Sequence, residues 1–363
     1  MNQLRVNELG ALFVSFLSME TRMEKGMKKT LWVVALAVLL FVGGTAFAGQ
    51  KYRLKMSGQD AEGLPSTNAM HKIADEVNKR TDGAVSIKIY PSNQLGEAEL
   101  QYQGVMDGSI DMLFGYVSPT YSLVFDVTTI PFLASGYKEI AYIASPESNC
   151  YKMFVQAAEE NDMVFLGFFL NGVNGIFSVK PMGDYKNPDA RKDVLVRIPN
   201  SVTYKMGLEA MGFPTVTIPW PDTYTSLQTG VMDGMTGIPS YMVEQNFGDI
   251  TKYFYPLDMY METNSIMMSP ATKDKLPKEY FDVIQQVCSE IAAESLLTTE
   301  QNVNEGIAAL AERGIEIYSL TDAERDEIAT KVRGKTAAAV EQYFGKEILE
   351  KVQEDIANAV KSK

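Results

Sequence analysis

The chain has 363 residues, more than one hydrophobic core usually serves, and its 46% hydrophobic and 22% charged side chains suit a soluble globular protein. With 46 acidic against 33 basic residues it carries a formal charge of −13, which speaks against a nucleic-acid partner. An anion could be bound only through a cation placed locally for that purpose.

Lys28 and Lys29 precede an apolar run from Leu31 to Val42, and Ala46-Phe47-Ala48 follows as an A-x-A cleavage pattern. The run breaks at Gly43-Gly44 and falls short of the roughly 20 apolar residues of a membrane span. It reads as a secretory signal peptide cleaved after Ala48, and Met27 is a natural start for it, leaving residues 1–26 as an upstream extension. Cleavage would remove five basic and three acidic groups, so the mature chain would be more acidic still. Export would also place Cys150 and Cys288 where disulfides persist. Spacing leaves two readings open, a bridge or two small buried side chains.

The mature chain opens with a strand, Tyr52 to Met56, and a polar turn at Gly58-Gln59-Asp60. A helix follows over about Ser66 to Arg80, with Ser66 or Thr67 as its cap. Val85, Ile87 and Ile89 alternate with polar residues as in a half-buried strand. A helix over about Glu97 to Met106 then leads into the strand Ile110 to Phe114. This strand-helix-strand succession predicts a sheet flanked by helices. The pentapeptide Gly104-Val105-Met106-Asp107-Gly108 recurs as Gly230-Val231-Met232-Asp233-Gly234, suggesting two similarly built lobes.

Val164 to Phe169 and Val194 to Ile198 read as buried strands. A helix is expected from Pro277 to Thr298, a further one over Gly306 to Arg313, and a strand at Ile315 to Tyr318. Thr321 and Glu324 form a capping-box pattern for a helix ending near Gly334. The tail from Lys335 to Lys363 reads as an amphipathic helix packed on the fold, since acidic residues are mixed through it.

Catalytic and metal signatures are missing. His71 is the only histidine and shares a helix face with Asp75, the pattern of a surface residue beside a carboxylate. There is no Cys/His cluster, phosphate loop, G-x-G-x-x-G or G-x-S-x-G, so neither a metal, a cofactor nor an enzymatic activity is expected.

Arg197 stands out, a cation inside the apolar run Val194-Leu195-Val196-Arg197-Ile198. Burying it is costly unless an anion meets it, and its paired donors match a carboxylate. That carboxylate is either a ligand's or one of this protein's own.

Arg197 with Pro199, the run Tyr224-Thr225-Ser226-Leu227-Gln228-Thr229-Gly230 and Asp233-Gly234 resemble the solute-binding proteins of tripartite ATP-independent periplasmic (TRAP) transporters, C4-dicarboxylate-binding type. Upstream, Tyr90 to Gly96, Asp107 to Asp111 and Ile130-Pro131-Phe132 fit the same pattern, so the ordered set spans the mature chain. The resemblance implies a two-lobed α/β fold of the type II periplasmic binding-protein kind, with crossing strands and a long helix linking the lobes. One lobe would comprise residues 49–172 plus 262–302, the other 173–261 plus 303–363. It also implies a periplasmic protein that binds a small carboxylate, passes it to TRAP permease subunits and is not an enzyme. Arg197 would grip the carboxylate, and Trp220, on the stiff Pro219-Trp220-Pro221 segment, would line the pocket beside Gly237.

Two departures bear on the ligand. Asn174 stands where many members have a second arginine, and Thr236-Gly237 where many have an E-N pair. A pocket with few charged contacts is therefore expected, taking a monocarboxylate with an apolar or aromatic remainder, with Asn174, Tyr116 and Gln59 supplying neutral hydrogen bonds. An exported sensory binding protein and an exported enzyme acting on an organic acid are the alternatives.

Overall fold

Residues 52–361 are described by the structure, a computed structural model. The leader and its cleavage after Ala48 lie outside the described residues. β1 (Tyr52–Gly58), α1 (Pro65–Arg80), β2 (Val85–Tyr90), α2 (Ala98–Asp107) and β3 (Met112–Gly115) follow in the expected order, and β1 pairs in parallel with both β2 and β3. Ser66 and Thr67 do not cap α1. Leu64 is its N-cap and Pro65 opens the helix, a position where the missing N–H costs nothing. The hydroxyls donate backwards instead, Ser66 Oγ to Asp60 Oδ2 at 2.7 Å and Thr67 Oγ1 to the Ala61 carbonyl at 2.8 Å. They hold the turn after β1.

After α3 (Tyr137–Ile143) and α4 (Asn149–Glu159) comes β4 (Val164–Ser178), far longer than the expected Val164 to Phe169. β5 (Val196–Ile198), α5 (Val202–Ala210), β6 (Thr215–Thr217), α6 (Thr223–Gln228), β7 (Gly234–Met235) and α7 (Ser240–Phe247) precede a second long strand, β8 (Tyr253–Met268). The sheet order is β2-β1-β3-β8-β4-β7-β5-β6. β8 pairs antiparallel with β3 at its C-terminal end and with β4 along its length; β4 pairs antiparallel with β7 at its own C-terminal end. These two strands therefore join two parallel groups, β1–β3 on one side and β5–β7 on the other.

The two pentapeptide copies occupy different places. Gly108 is the left-handed residue ending α2, whereas α6 ends before Gly230 takes the left-handed conformation and Gly234 opens β7. Their shared letters do not mark equivalent elements.

α8 (Pro270–Lys275) leads into α9 (Lys278–Glu312), one 35-residue helix where a break before Gly306 was expected. α9 is pinned to β4 at a bulge: Leu170 N–H donates to Ser295 Oγ at 2.9 Å, and Thr299 Oγ1 donates to the Leu170 carbonyl at 2.7 Å. Residues 295 and 299 share one helix face, so one stripe satisfies both groups freed by the bulge. β9 (Glu316–Ile317) follows, then α10 (Asp322–Phe344) with the expected Thr321/Glu324 capping box, running on through Gly334. α11 (Lys346–Lys361) packs on the fold, its buried Asp355 accepting from the Asn149 and Cys150 N–H groups at 2.8 Å each. Cys150 and Cys288 are both free and buried, in separate core clusters, one lined by Phe154 and Phe168 and the other by Ile284 and Met268. Among the described residues, no helix is long and apolar enough to cross a membrane.

Candidate ligand-binding site

The carboxyl ends of the parallel strands from both groups converge where β4 and β8 cross between them. Gln59 and Asp60 follow β1, Tyr116 follows β3, Arg197 and Pro199 lie in and just beyond β5, Trp220 follows β6, and Gly237 and Ile238 follow β7. Ligands of open α/β sheets bind at such ends. Asn171 from β4, with Glu262 and Asn264 from β8, completes the wall of a cavity of about 90 Å³. A neighbouring cavity of about 310 Å³ shares Gln59, Tyr116, Arg197, Pro199 and Trp220, so the two form a continuous cleft.

Arg197 is only 4% exposed. Its Nε donates to the Ile218 carbonyl at 2.8 Å, and its guanidinium lies 5.9 Å from the centroid of the Trp220 ring. Among the described residues no carboxylate lies within ion-pair distance and no acceptor meets its terminal N–H groups. Burial pulls its pKa down to about 10, partly countered by Tyr204 and Glu262, and it stays charged at neutral pH. A buried guanidinium with its fork unmatched can pair with an anion through both terminal nitrogens.

Five of the six residues singled out in the sequence, Arg197, Trp220, Tyr116, Gln59 and Gly237, line the cleft. The Tyr116 hydroxyl is buried with no hydrogen-bond partner, while Gln59 Nε2 donates to the Tyr116 carbonyl at 3.2 Å. Gly237 has φ +99°, a conformation that favours glycine. Asn174 stands one layer behind. Fully buried, it donates from Nδ2 to Tyr204 Oη at 2.8 Å and to Glu262 Oε2 at 3.2 Å, and its Oδ1 accepts from Thr236 Oγ1 at 3.2 Å. Every polar atom of its amide is used within the protein, so it orients Glu262 and does not line the cavity.

The expectation of few charged groups is corrected by Asp60 and Glu262, which face the same cavity as Arg197. Asp60 Oδ2 accepts from Ser66 Oγ at 2.7 Å and Asn264 Nδ2 at 2.9 Å; Glu262 Oε2 accepts from Tyr204 Oη at 2.7 Å as well as from Asn174. Burial raises the Asp60 pKa, and burial together with the Asp60 charge pushes Glu262 up to about 8. The missed signal is Tyr260-Met261-Glu262-Thr263-Asn264, where polar residues at alternate positions interrupt a Met-rich apolar run. Among the described residues no group of three His, Cys, Asp or Glu is arranged to hold a metal ion.

Fold and cleft together define a protein that encloses a small solute between two groups of strand ends. The model of bacterial extracellular solute-binding protein, family 7, matches residues 56–343, and the chain belongs to that family. The C4-dicarboxylate-binding periplasmic protein DctP of Rhodobacter capsulatus is 23% identical over 302 residues, covering 79% of this chain and 89% of its own. A TRAP periplasmic solute-binding protein from Desulfovibrio salexigens, solved with orotic acid, aligns with a TM-score of 0.77 at 22% identity over 85% of this chain and all of its own. One from Sulfurospirillum deleyianum, solved with succinate, aligns at 0.75 and 17% identity over 84% of this chain and 98% of that one.

Proposed function

We propose that this protein is exported to the periplasm after cleavage behind Ala48, captures a small organic acid by its carboxylate on Arg197, and hands it to the membrane subunits of a TRAP-type permease. The observation that carries this is the buried, unmatched fork of Arg197 at a cleft of strand ends. Trp220, Ile238 and Met242 offer an apolar wall for the body of the acid, with Gln59 and Tyr116 as neutral hydrogen-bonding groups. The ligand is a monocarboxylate, because a second carboxylate would meet Asp60 and Glu262. The chain is a carrier, not an enzyme.

In this reading residues 49–172 plus 262–302 and residues 173–261 plus 303–363 are lobes that close on the ligand about β4 and β8. Arg197 comes from one lobe and Asp60 and Tyr116 from the other. Closure follows from contacts that only the closed state makes with the solute. Native mass spectrometry of the secreted protein tests the reading. A bound mass released on denaturation and matching a monocarboxylic acid supports it, whereas tighter binding of succinate or malate than of any monocarboxylate sinks the ligand class.

A further inference from the structure

The cleft has two poles, and a lone carboxylate engages only one. On the side of β5 stands the Arg197 fork. On the side of β1 and β8 stand Asp60 and Glu262, each with one carboxyl oxygen committed to protein donors and the other without a hydrogen-bond partner among the described residues. Glu262 is 8% exposed and Arg197 4%, so both groups meet the cleft from a largely buried setting.

Donor count gives the same answer as charge. Asn264 spends its Nδ2 on Asp60, and Asn174 spends both ends of its amide, so neither asparagine has a donor left for these free oxygens. Counted formally, with Glu262 held up at about 8 and so protonated at neutral pH, the cleft sets one cation, Arg197, against one remaining carboxyl, Asp60, before any ligand enters. A bare carboxylate would leave the cleft one negative charge in excess at low dielectric. A dicarboxylate would leave two and set its second group beside the Asp60 carboxyl.

Resting on the carboxylate reading above, we propose that the solute is a compact zwitterion, its carboxylate on Arg197 and an N–H-bearing cation, an ammonium or amidinium, between Asp60 and Glu262. The body between the two poles lies along Trp220. Such a ligand matches the fork of Arg197 with two acceptors, matches the free oxygens of Asp60 and Glu262 with donors, and adds no net charge to a buried site.

The test is calorimetric titration of the secreted protein with sets of acids matched in chain length or ring size. One set is 4-aminobutanoate, butanoate and succinate; another is proline, cyclopentanecarboxylate and a cyclopentane dicarboxylate. The amino acid is expected to bind at least about tenfold tighter than either companion in every set that binds, the discrimination typical of a buried charge with or without its partner. A tighter unsubstituted acid or dicarboxylate overturns the zwitterion while leaving the carboxylate reading intact. Failure of every acid, with none carried by the purified protein, overturns both. In Asp60→Asn the preference for the amino acid over its unsubstituted companion is expected to shrink about tenfold, and an unchanged preference overturns the assignment. Asp60→Ser, which also removes the carboxylate while keeping a small polar group beside Ser66 and Asn264, gives the same reading if Asp60→Asn fails to fold.

Discussion

Asn174 on β4 and Glu262 on β8 meet diagonally across the strand pair, two positions out of register, the Asn174 amide donating to Glu262 Oε2 at 3.2 Å. The bond ties the centre of one crossing strand to the other and aims the remaining Glu262 oxygen at the cavity, with Tyr204 as the second support. Asn174→Ala should lower stability by about 1–3 kcal/mol, because Thr236 and Tyr204 lose a buried partner as well. Denaturant unfolding of the ligand-free protein measures it. Solute affinity should fall less than in Arg197→Ala, since Tyr204 still positions the glutamate.

Arg197 gives a prediction whose sign separates a ligand anchor from a structural cation. In the ligand-free protein its charge is buried without an anion, and its only side-chain hydrogen bond among the described residues goes to the Ile218 carbonyl. Arg197→Met keeps much of the apolar volume and removes that desolvation cost, so ligand-free stability should hold or rise. Affinity should meanwhile fall by about 2–5 kcal/mol, because the ligand carboxylate is left buried and unpaired. Arg197→Lys should also bind poorly, a point charge being unable to reproduce the fork. A variant that loses stability and keeps its affinity would make Arg197 a structural group.

Glu262 sets a pH dependence. Its carboxyl is held up at about 8 in the fold, well above its unfolded value, so between these two values the native state binds more protons than the unfolded chain. Stability from this group is therefore fully present below the unfolded pKa and is lost as pH rises through about 8. The ligand-free wild type should melt at progressively lower temperature from pH 6 to pH 8, and Glu262→Gln should flatten that slope. An unchanged slope in the variant would assign the effect to other groups.

How much of this was legible depends on regularity. The first strands and helices show clean periods of two and 3.6, and Arg197 is conspicuous because an apolar strand surrounds it. β4 reads as a shorter strand in the sequence because Asn171, Gly172, Asn174 and Gly175 look like loop residues. They are instead the bulged centre of the strand, with Gly172 at φ +143° and Gly175 against the Tyr255 carbonyl. β8 is hidden in the sequence for a related reason: Pro256 and Asp258, the latter at φ +49°, interrupt its pattern where residues 256–259 bulge from the pairing with β4. Asp60 and Glu262 escaped because their significance is their convergence with Arg197, which comes from the sheet order and not from local spacing.

Gly306 carries the same lesson inside α9 and turns it into a stability measurement. Glycine in a helix interior ordinarily costs about 1 kcal/mol relative to alanine, which is why a break is the natural reading of the sequence there. In the structure the helix continues, and Gly306 is buried where α7 begins. A Cβ at this position would lie within 2.6 Å of Ser240 Oγ and closer still to the Tyr241 backbone nitrogen. Backbone cannot rotate away as a side-chain tip can, and Ser240 Oγ is committed to the Val303 carbonyl. Gly306→Ala should therefore destabilise the protein by about 1–3 kcal/mol despite its better helix propensity, the typical cost of overpacking. An exposed control, Gly334→Ala in α10, where a Cβ meets nothing, should stabilise by up to about 1 kcal/mol. Equal and favourable changes in the two variants would show that α9 and α7 are not in contact at this glycine.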